Sequence, residues 1–256
     1  LHAIDLPIAA DTALAIPALA DLCARKVAER PDLAQTYEQR SVRLEARHQS
    51  LVRAAAERAR QSAEEQPISQ SFLAQQVWEI VQGQDWVVTS DVRGWARRLW
   101  DITQSYQYMS SRGGGGLGRG LCHSLGVALA NRGSGRVCVD FQADGDMLFV
   151  DSALWTAAHH QIPLLVVMYN NRSYYNDEEH QADMAKSRQR PVENRVVGIR
   201  IENPEVDFAS MARSFGVHGE GPVEHPEELR PALERALRVV VEDKRCALVD
   251  VVTQHR

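Results

Sequence analysis

From about residue 67 onwards, apolar residues fall into short unbroken runs that alternate with stretches of helical spacing. A short unbroken apolar run is typical of a strand buried on both faces, whereas apolar positions three or four apart are typical of a helix. The pattern predicts strands over 86–91, 136–143, 163–169 and 247–253, and helices over 68–81, 117–131, 152–161, 208–215 and 227–242.

Strands that are apolar throughout and separated by helices indicate a parallel sheet covered by helices on both faces. We therefore predict a doubly wound α/β domain over residues 67–256. Ligands of such domains bind beyond the carboxyl ends of the strands, so polar residues that directly follow a predicted strand are candidate site residues.

The first 66 residues have a different texture. Residues 1–31 are rich in Ala and Leu, and they predict a helix that begins at Asp11 or Thr12 and ends before Pro31. Residues 32–66 are rich in Arg, Glu, Gln and Ala, which predicts a long, largely solvated connecting helix. Its acidic residues are interleaved with basic ones, so we do not interpret it as a nucleic-acid patch.

Composition narrows the class of protein. The chain has 256 residues, 44% hydrophobic and 25% charged, and its net charge of −5 gives no reason to expect nucleic acid as a partner. No apolar run approaches the ~20 residues of a membrane span, and we recognise no secretory signal. The four cysteines are scattered without a CxxC pair, which favours buried thiols in a reducing, cytoplasmic compartment. A first residue that is Leu suggests a fragment or a processed chain.

Six glycines occur within residues 113–120, immediately before a predicted helix. Glycine lets a backbone pass close to a ligand and exposes its N–H and C=O groups. The segment lacks the Gly-Lys-Ser/Thr ending of a P-loop, and no convincing strand precedes it as in a Rossmann fingerprint, so we reject both kinds of nucleotide site. Taken alone, it is also explained by a flexible turn.

Polar residues follow two successive predicted strands. Asp144, Gly145 and Asp146 come after one, and Asn170 and Asn171 come after the next. A carboxylate and a carboxamide at neighbouring strand ends can converge on one hard cation such as Mg²⁺, with phosphate and water completing its shell. The turn and the helix after it would offer N–H groups to a diphosphate.

With these motifs the sequence resembles the thiamine diphosphate-dependent enzymes of the pyruvate decarboxylase/acetolactate synthase superfamily. Asp144-Gly145 and Asn170-Asn171 resemble that superfamily's cofactor motif, Gly-Asp-Gly followed by Asn-Asn, and the glycines around Leu117 resemble its glycine-rich segment. The resemblance covers residues 67–256 as the diphosphate-binding (PP) domain. It makes residues 1–31 the remnant of a middle domain and 32–66 a helical linker.

The resemblance implies thiamine diphosphate and Mg²⁺ as cofactors. It places Mg²⁺ on the side chains of Asp144 and Asn171 and on the backbone carbonyl of Ser173. It makes Leu117 the bulky residue beneath the bent cofactor, and the Gly115 carbonyl the acceptor for the cofactor's 4′-amino group. The other cofactor contacts that it implies are Ser90 and Asp91, with Thr89 as an alternative, together with Gly116, Gly145, Asp146 and Tyr174.

Two residues depart from the family motif. Ala143 replaces the first glycine, which an extended backbone tolerates. Asp146 stands where Ser or Ala is common, and a carboxylate beside a diphosphate is repulsive unless it turns away or reaches the metal. We therefore expect the amide of Asp146, and not its side chain, to face the phosphate. An inward carboxylate would weaken binding, and Asp146→Ser would then strengthen it.

The resemblance also implies that part of the enzyme lies outside this sequence. Activation of the cofactor in this family needs a Glu from a pyrimidine-binding domain, which nothing here resembles. Glu178 and Glu179 fall on the metal side and are not assigned that role. We expect the domain to come from another chain or a missing N-terminal half, in a homo- or hetero-oligomeric dimer or tetramer. The chain alone would bind the cofactor poorly and be catalytically silent.

The implied reaction is decarboxylation of a 2-oxo acid, carboligation of the product, or both, as in acetolactate synthase. Candidates that would face the substrate follow the metal loop, although packing or a surface position would also explain them: Tyr174, Tyr175, Asn176 and His180. A non-catalytic subunit that keeps the fold remains an alternative. A different nucleotide-binding enzyme that mimics the motif is another.

Overall fold

The computed structural model describes residues 3–90, 94–110 and 116–255, with the backbone alone for 94–96. By its internal contacts the chain forms two units, residues 1–51 and 52–256. These units are defined by packing, whereas the division at residues 31 and 66 concerns domain ancestry and stays a prediction.

The first unit contains a helix close to the predicted limits. α1 (Thr12–Ala28) begins after Asp11, whose carboxylate accepts the N–H of Ala13 at 2.8 Å. This cap satisfies a backbone N–H that has no partner within the helix. A 3-10 turn at Pro31–Leu33 leads into α2 (Ala34–Gln61), which continues into the second unit. No residue of α1 is buried.

The second unit alternates strands and helices much as the apolar runs predict. Its elements in chain order are α3 (Gln70–Val81), β1 (Trp86–Val88), α4 (Gly94–Leu99), α5 (Arg119–Ala130), β2 (Val137–Ala143), α6 (Asp144–Met147), α7 (Ala153–His159), β3 (Leu165–Asn170), α8 (Tyr175–Ser187), α9 (Phe208–Ser214), β4 (His218–Val223), α10 (Pro226–Val241) and β5 (Ala247–Val252).

The strands form one parallel sheet in the order β1-β2-β3-β5-β4. Apolar residues of α3 and α10 pack with one set of strand side chains, and those of α5, α7 and α9 pack with the alternate set. The predicted doubly wound α/β fold is therefore confirmed. Ala143 and Tyr169 are register partners, so the chain leaves β2 and β3 side by side at the same edge of the sheet.

Among the described residues, the sequence prediction missed the strand β4 and the helices α4, α6 and α8. β4 reads His-Gly-Glu-Gly-Pro-Val, which has no apolar run, and it lies at the edge of the sheet where most of its residues are only half-buried. A Cβ at Gly219 would overlap with the carbonyl oxygen of Ala209, so the close packing of β4 on α9 needs glycine there. α8 is polar along its length, and Glu178 is its only buried residue.

The expectation that all four cysteines are buried is wrong for two of them. Cys138 and Cys246 are buried as predicted, but Cys23 and Cys122 are exposed. Burial raises the pKa of each buried thiol to about 12, so both are inert near neutral pH. Within the described ranges, no helix combines the length and the apolar character that crossing a membrane requires.

Candidate functional site

Asp144 lies where β2 gives way to α6, and its carboxylate is held by backbone amides. The side chain is buried, with only 1% of the residue exposed. Oδ1 accepts the N–H of Gly145 at 2.9 Å, and Oδ2 accepts the N–H of Ser173 at 3.1 Å. Burial raises the pKa of Asp144 to about 6, while the N–H groups of Gly145 and Ser173 oppose the shift because they stabilise the anion.

The two asparagines after β3 have different roles. Asn170 turns into the sheet, where its Nδ2 donates to Oδ1 of the buried Asp250 at 3.0 Å. Asn171 stays at the cavity, and its Oδ1 accepts the N–H of Ser173 at 3.1 Å. The same N–H is therefore the donor to both Asn171 and Asp144.

The backbone beyond Asn171 is fixed by its neighbours. Arg172 has a positive φ of 56°, which turns the chain sharply back. Tyr174 then donates its N–H to the carbonyl of Ile199 at 3.0 Å, and Ile201 donates to the carbonyl of Arg172 at 2.8 Å. These bonds hold the Ser173 backbone beside Asp144.

The side chain of Glu178 contacts the loop that contains Ser173. Its Oε2 accepts the hydroxyl of Ser173 at 3.3 Å, and only 3% of the residue is exposed. Arg195 lies 3.2 Å from Oε1 and Arg200 lies 3.8 Å from Oε2, so the buried charge is paired. These contacts give Glu178 a structural role at the Ser173 loop.

The donor set fits a hard cation. A buried carboxylate and a carboxamide oxygen share one N–H, and both line a cavity of about 100 Å³. Mg²⁺ prefers oxygen ligands and takes one or two carboxylates, with phosphate and water for the rest. Throughout the described part of the chain, no group of three or more His, Cys, Asp or Glu side chains could hold a metal, so a site rich in nitrogen or sulfur ligands is absent there.

A second cavity of about 390 Å³ lies beyond the ends of β1 and β2. Ser90 and Thr89 line it, and their hydroxyls join the strands: Ser90 Oγ accepts the N–H of Phe141 at 2.7 Å, and Thr89 Oγ1 donates to the carbonyl of Val139 at 3.1 Å. The Ser90 hydroxyl also lies near the buried carboxylate of Asp140 and stabilises its anion in part. Asp91, the companion candidate, lies outside the described residues.

Leu117 lines both cavities, and 49% of the residue is exposed. It precedes Gly118, the N-cap of α5, which has a φ of 84°. Gly116 lines the larger cavity. Gly115, the expected acceptor for the cofactor's amino group, lies outside the described residues.

The carboxylate of Asp146 turns towards the start of α5. It accepts the N–H of Gly118 at 2.7 Å and the N–H of Gly120 at 3.2 Å. Nothing in the sequence signalled this contact, because its partners are 26 and 28 positions away and are glycines. That the Asp146 amide faces a phosphate stays a prediction.

The four residues expected to face the substrate have different surroundings in the structure. The ring of Tyr174 lies against Gly145, since a Cβ there would be 2.5 Å from two ring carbons. Tyr175 stacks on His255 with 4.5 Å between ring centroids, and Asn176 is exposed at the rim of the smaller cavity. His180 is exposed on α8 and lines neither cavity.

Comparison with known proteins points to one family. Residues 89–251 match the family described as thiamine pyrophosphate enzyme, C-terminal TPP binding domain. The acetolactate synthase isozyme 3 large subunit of Escherichia coli (strain K12) is 30% identical over 187 residues, which cover 72% of this chain and 30% of that protein. The sulfoacetaldehyde acetyltransferase of Castellaniella defragrans is 26% identical over 117 residues, which cover 46% of this chain and 18% of that protein.

Solved structures show the same fold. Benzoylformate decarboxylase from Polynucleobacter necessarius superposes with a TM-score of 0.60 at 20% identity, covering 73% of this chain and 33% of that one. The chain thus matches only about a third, or less, of the length of these relatives.

Proposed function

Because this chain belongs to the thiamine pyrophosphate enzymes, through the C-terminal TPP-binding domain that they share, we propose that it binds the diphosphate of thiamine diphosphate through Mg²⁺. In a complete assembly it would decarboxylate a 2-oxo acid, join the product to a second carbonyl compound, or do both. The match to acetolactate synthase supports this reaction class over others that use the same cofactor.

One observation supports the proposal most strongly: the carboxylate of Asp144 and the amide oxygen of Asn171 accept the same Ser173 N–H. These two oxygens and the Ser173 carbonyl would hold Mg²⁺. When bound, the cofactor would supply a nucleophilic carbon that adds to a carbonyl and a thiazolium ring that accepts the electron pair left behind when carbon dioxide departs.

We propose that residues of this chain bind the cofactor, orient it and shield its site from water. The half-exposed Leu117 would support the cofactor from beneath, and Ser90, which lines the larger cavity, would contact the diphosphate. The ring of Tyr174 covers the turn at Gly145, which keeps water from that side of the site. Asp91, Gly115 and Gly116 complete the proposed cofactor contacts. We also propose His180, which is exposed on α8, as a proton-transfer group for the substrate.

The chain would act together with a pyrimidine-binding domain that supplies the activating Glu. It covers only 30% of the matching acetolactate synthase subunit, which supports a need for further protein. We propose that the assembly is a homo- or hetero-oligomer of the cytoplasm, since none of the four cysteines, all of them in the described residues, is paired in a disulfide.

An assay of the native assembly tests the proposal. Purified with its partners, it should release carbon dioxide from pyruvate or benzoylformate only when thiamine diphosphate and Mg²⁺ are present, and the isolated chain should be silent. Decarboxylation by the isolated chain would overturn the partner requirement. An assembly that binds both cofactors yet converts no 2-oxo acid would instead favour a non-catalytic subunit.

A further inference from the structure

We propose that Asp146 is a positioning residue whose carboxylate fastens the start of α5 to the end of β2, and so sets Leu117 beside the cofactor. The inference rests on the proposed function, because Leu117 matters only if a cofactor lies against it. It concerns a residue at which this chain departs from the family motif.

Three donors converge on the Asp146 carboxylate. Gly118 donates its N–H to Oδ1 at 2.7 Å, and Gly120 donates its N–H to Oδ2 at 3.2 Å. The Nε2 of Gln142, which is 1% exposed, donates to Oδ2 at 2.8 Å. The first N–H groups of a helix have no partner within it, and a carboxylate is a favourable partner because the helix start is electropositive.

Gly118 and Gly120, at the start of α5, leave the space that this contact needs. A Cβ at Gly120 would lie 2.6 Å from Asp146 Oδ2 and 3.0 Å from Gln142 Oε1. A Cβ at Gly118 would lie 2.7 Å from a methyl group of Val150. Residue 120 is therefore glycine because the carboxylate approaches this close, and the contact depends on both partners.

The contact links two parts of the site through one short turn. Asp144 points from α6 towards the Ser173 loop, and Asp146 points from the same turn towards Gly118. Leu117 is the residue before Gly118, and it lines a cavity together with both aspartates. A shift at the start of α5 would therefore move Leu117 relative to Asp144.

If the Asp146 carboxylate instead repels the diphosphate, it weakens cofactor binding, and removal of its charge would strengthen it. Asp146→Asn distinguishes positioning from repulsion. It removes the negative charge and hardly changes the shape of the side chain. Its NH₂ group must then face either a backbone N–H or the side-chain amide of Gln142. If positioning dominates, this variant binds the cofactor more weakly; if repulsion dominates, it binds more tightly.

Two measurements on wild type and Asp146→Asn test the inference. The first is amide hydrogen exchange at Gly118 and Gly120 in the full chain without cofactor, where we expect exchange at least tenfold faster in the variant. The second is the affinity of the native assembly for thiamine diphosphate with Mg²⁺, where we expect a five- to twentyfold loss. Asp151→Asn is the matched control, since the only described hydrogen bond of the Asp151 carboxylate is with the N–H of Ser152 at 2.9 Å.

Unchanged exchange, or unchanged or tighter cofactor binding by Asp146→Asn, would overturn the inference. A wild-type assembly that binds no thiamine diphosphate would overturn the proposed function instead, so the two failures are distinct.

A second pair of variants covers the case in which Asp146→Asn does not fold. Gly120→Ala should lower the melting temperature of the wild type, and should lower it clearly less in an Asp146→Ala background, where the overlapping oxygen is gone. Equal losses in both backgrounds would contradict the contact.

Discussion

Two buried carboxylates of the same strand region, Asp144 and Asp140, show how differently one fold treats an acid. Asp144 receives backbone N–H groups and faces a cavity. Asp140 is fully buried in the middle of β2, and neither of its oxygens has a hydrogen bond of normal geometry within the described part of the chain. The hydroxyls of Ser124 and Ser90 are near enough to stabilise its anion in part.

Burial raises the pKa of both acids, to about 7 for Asp140 and to about 6 for Asp144. A buried acid is therefore not by itself a site. The distinguishing features of Asp144 are its backbone donors, which hold the carboxylate in one orientation, and its access to the cavity. Asp140 has neither, so we expect it to affect stability, whereas Asp144 affects binding.

Asp144→Ala should have the largest effect. It removes the charged ligand of the proposed Mg²⁺ site, and we expect the Mg²⁺-dependent affinity for thiamine diphosphate to fall at least about 1000-fold, or ~4 kcal/mol. Titration calorimetry on the native assembly measures this. Asp140→Asn is the control and should change the affinity no more than about twofold. Equal losses in both variants would remove the distinction between the two acids.

Asp140→Asn should change the dependence of stability on pH. Below about pH 4 both the folded and the unfolded wild type hold the proton. As the pH rises from the ordinary pKa of 3.8 to about 7, only the unfolded chain loses it, so the folded state loses stability. The full shift corresponds to about 4 kcal/mol.

The amide cannot ionise, but it too is a polar group in an apolar site. We therefore expect Asp140→Asn to be about 2–3 kcal/mol more stable than the wild type at pH 8, and about 1–2 kcal/mol less stable below pH 4, where the cost of the buried amide remains. Urea unfolding of the cofactor-free chain across this pH range gives the answer. A gain that is the same at every pH would contradict the assignment.

Substitution of Asn170 and of Asn171 gives a matched pair of variants. Asn171→Ala should weaken cofactor binding about tenfold, or ~1.4 kcal/mol, with little change in stability. Asn170→Ala should lower the free energy of unfolding by about 1–3 kcal/mol, because Asp250 loses one of its two hydrogen-bond donors in the core. If both variants lose binding alike, the structural role of Asn170 is wrong.

Leu117→Ala should have the smallest effect. The side chain is half-exposed, so the free energy of unfolding should change by less than about 0.5 kcal/mol. The affinity for thiamine diphosphate should fall about three- to fivefold, because the surface beneath the cofactor is lost. Leu129→Ala, equally exposed but on the far part of α5, is the control for stability.

The parts of this picture that the sequence predicts are those with a short-range signal. Largely apolar runs predicted β2, β3 and β5. Because parallel strands bring their carboxyl ends to one edge of the sheet, the sequence alone predicts that Asp144 and Asn171 lie close together. Long-range contacts have no such signal. The bond from Asn170 to Asp250 spans 80 positions.

A weaker signal was available for the buried acids. Asp140 and Asp250 each lie within a largely apolar strand, and a charged residue in a strand buried on both faces needs a partner or a proton. The pattern indicates that something is unusual there. Only the structure distinguishes Asp250, which has donors in Asn170 and Phe208, from Asp140.

The most direct test of the central claim is a crystal structure of the native assembly grown with thiamine diphosphate and Mn²⁺ in place of Mg²⁺. The account predicts one anomalous peak about 2.0–2.3 Å from an Asp144 oxygen, from Asn171 Oδ1 and from the Ser173 carbonyl. A bound cofactor whose metal lies elsewhere, or an Asp144 carboxylate turned away from it, would contradict the account.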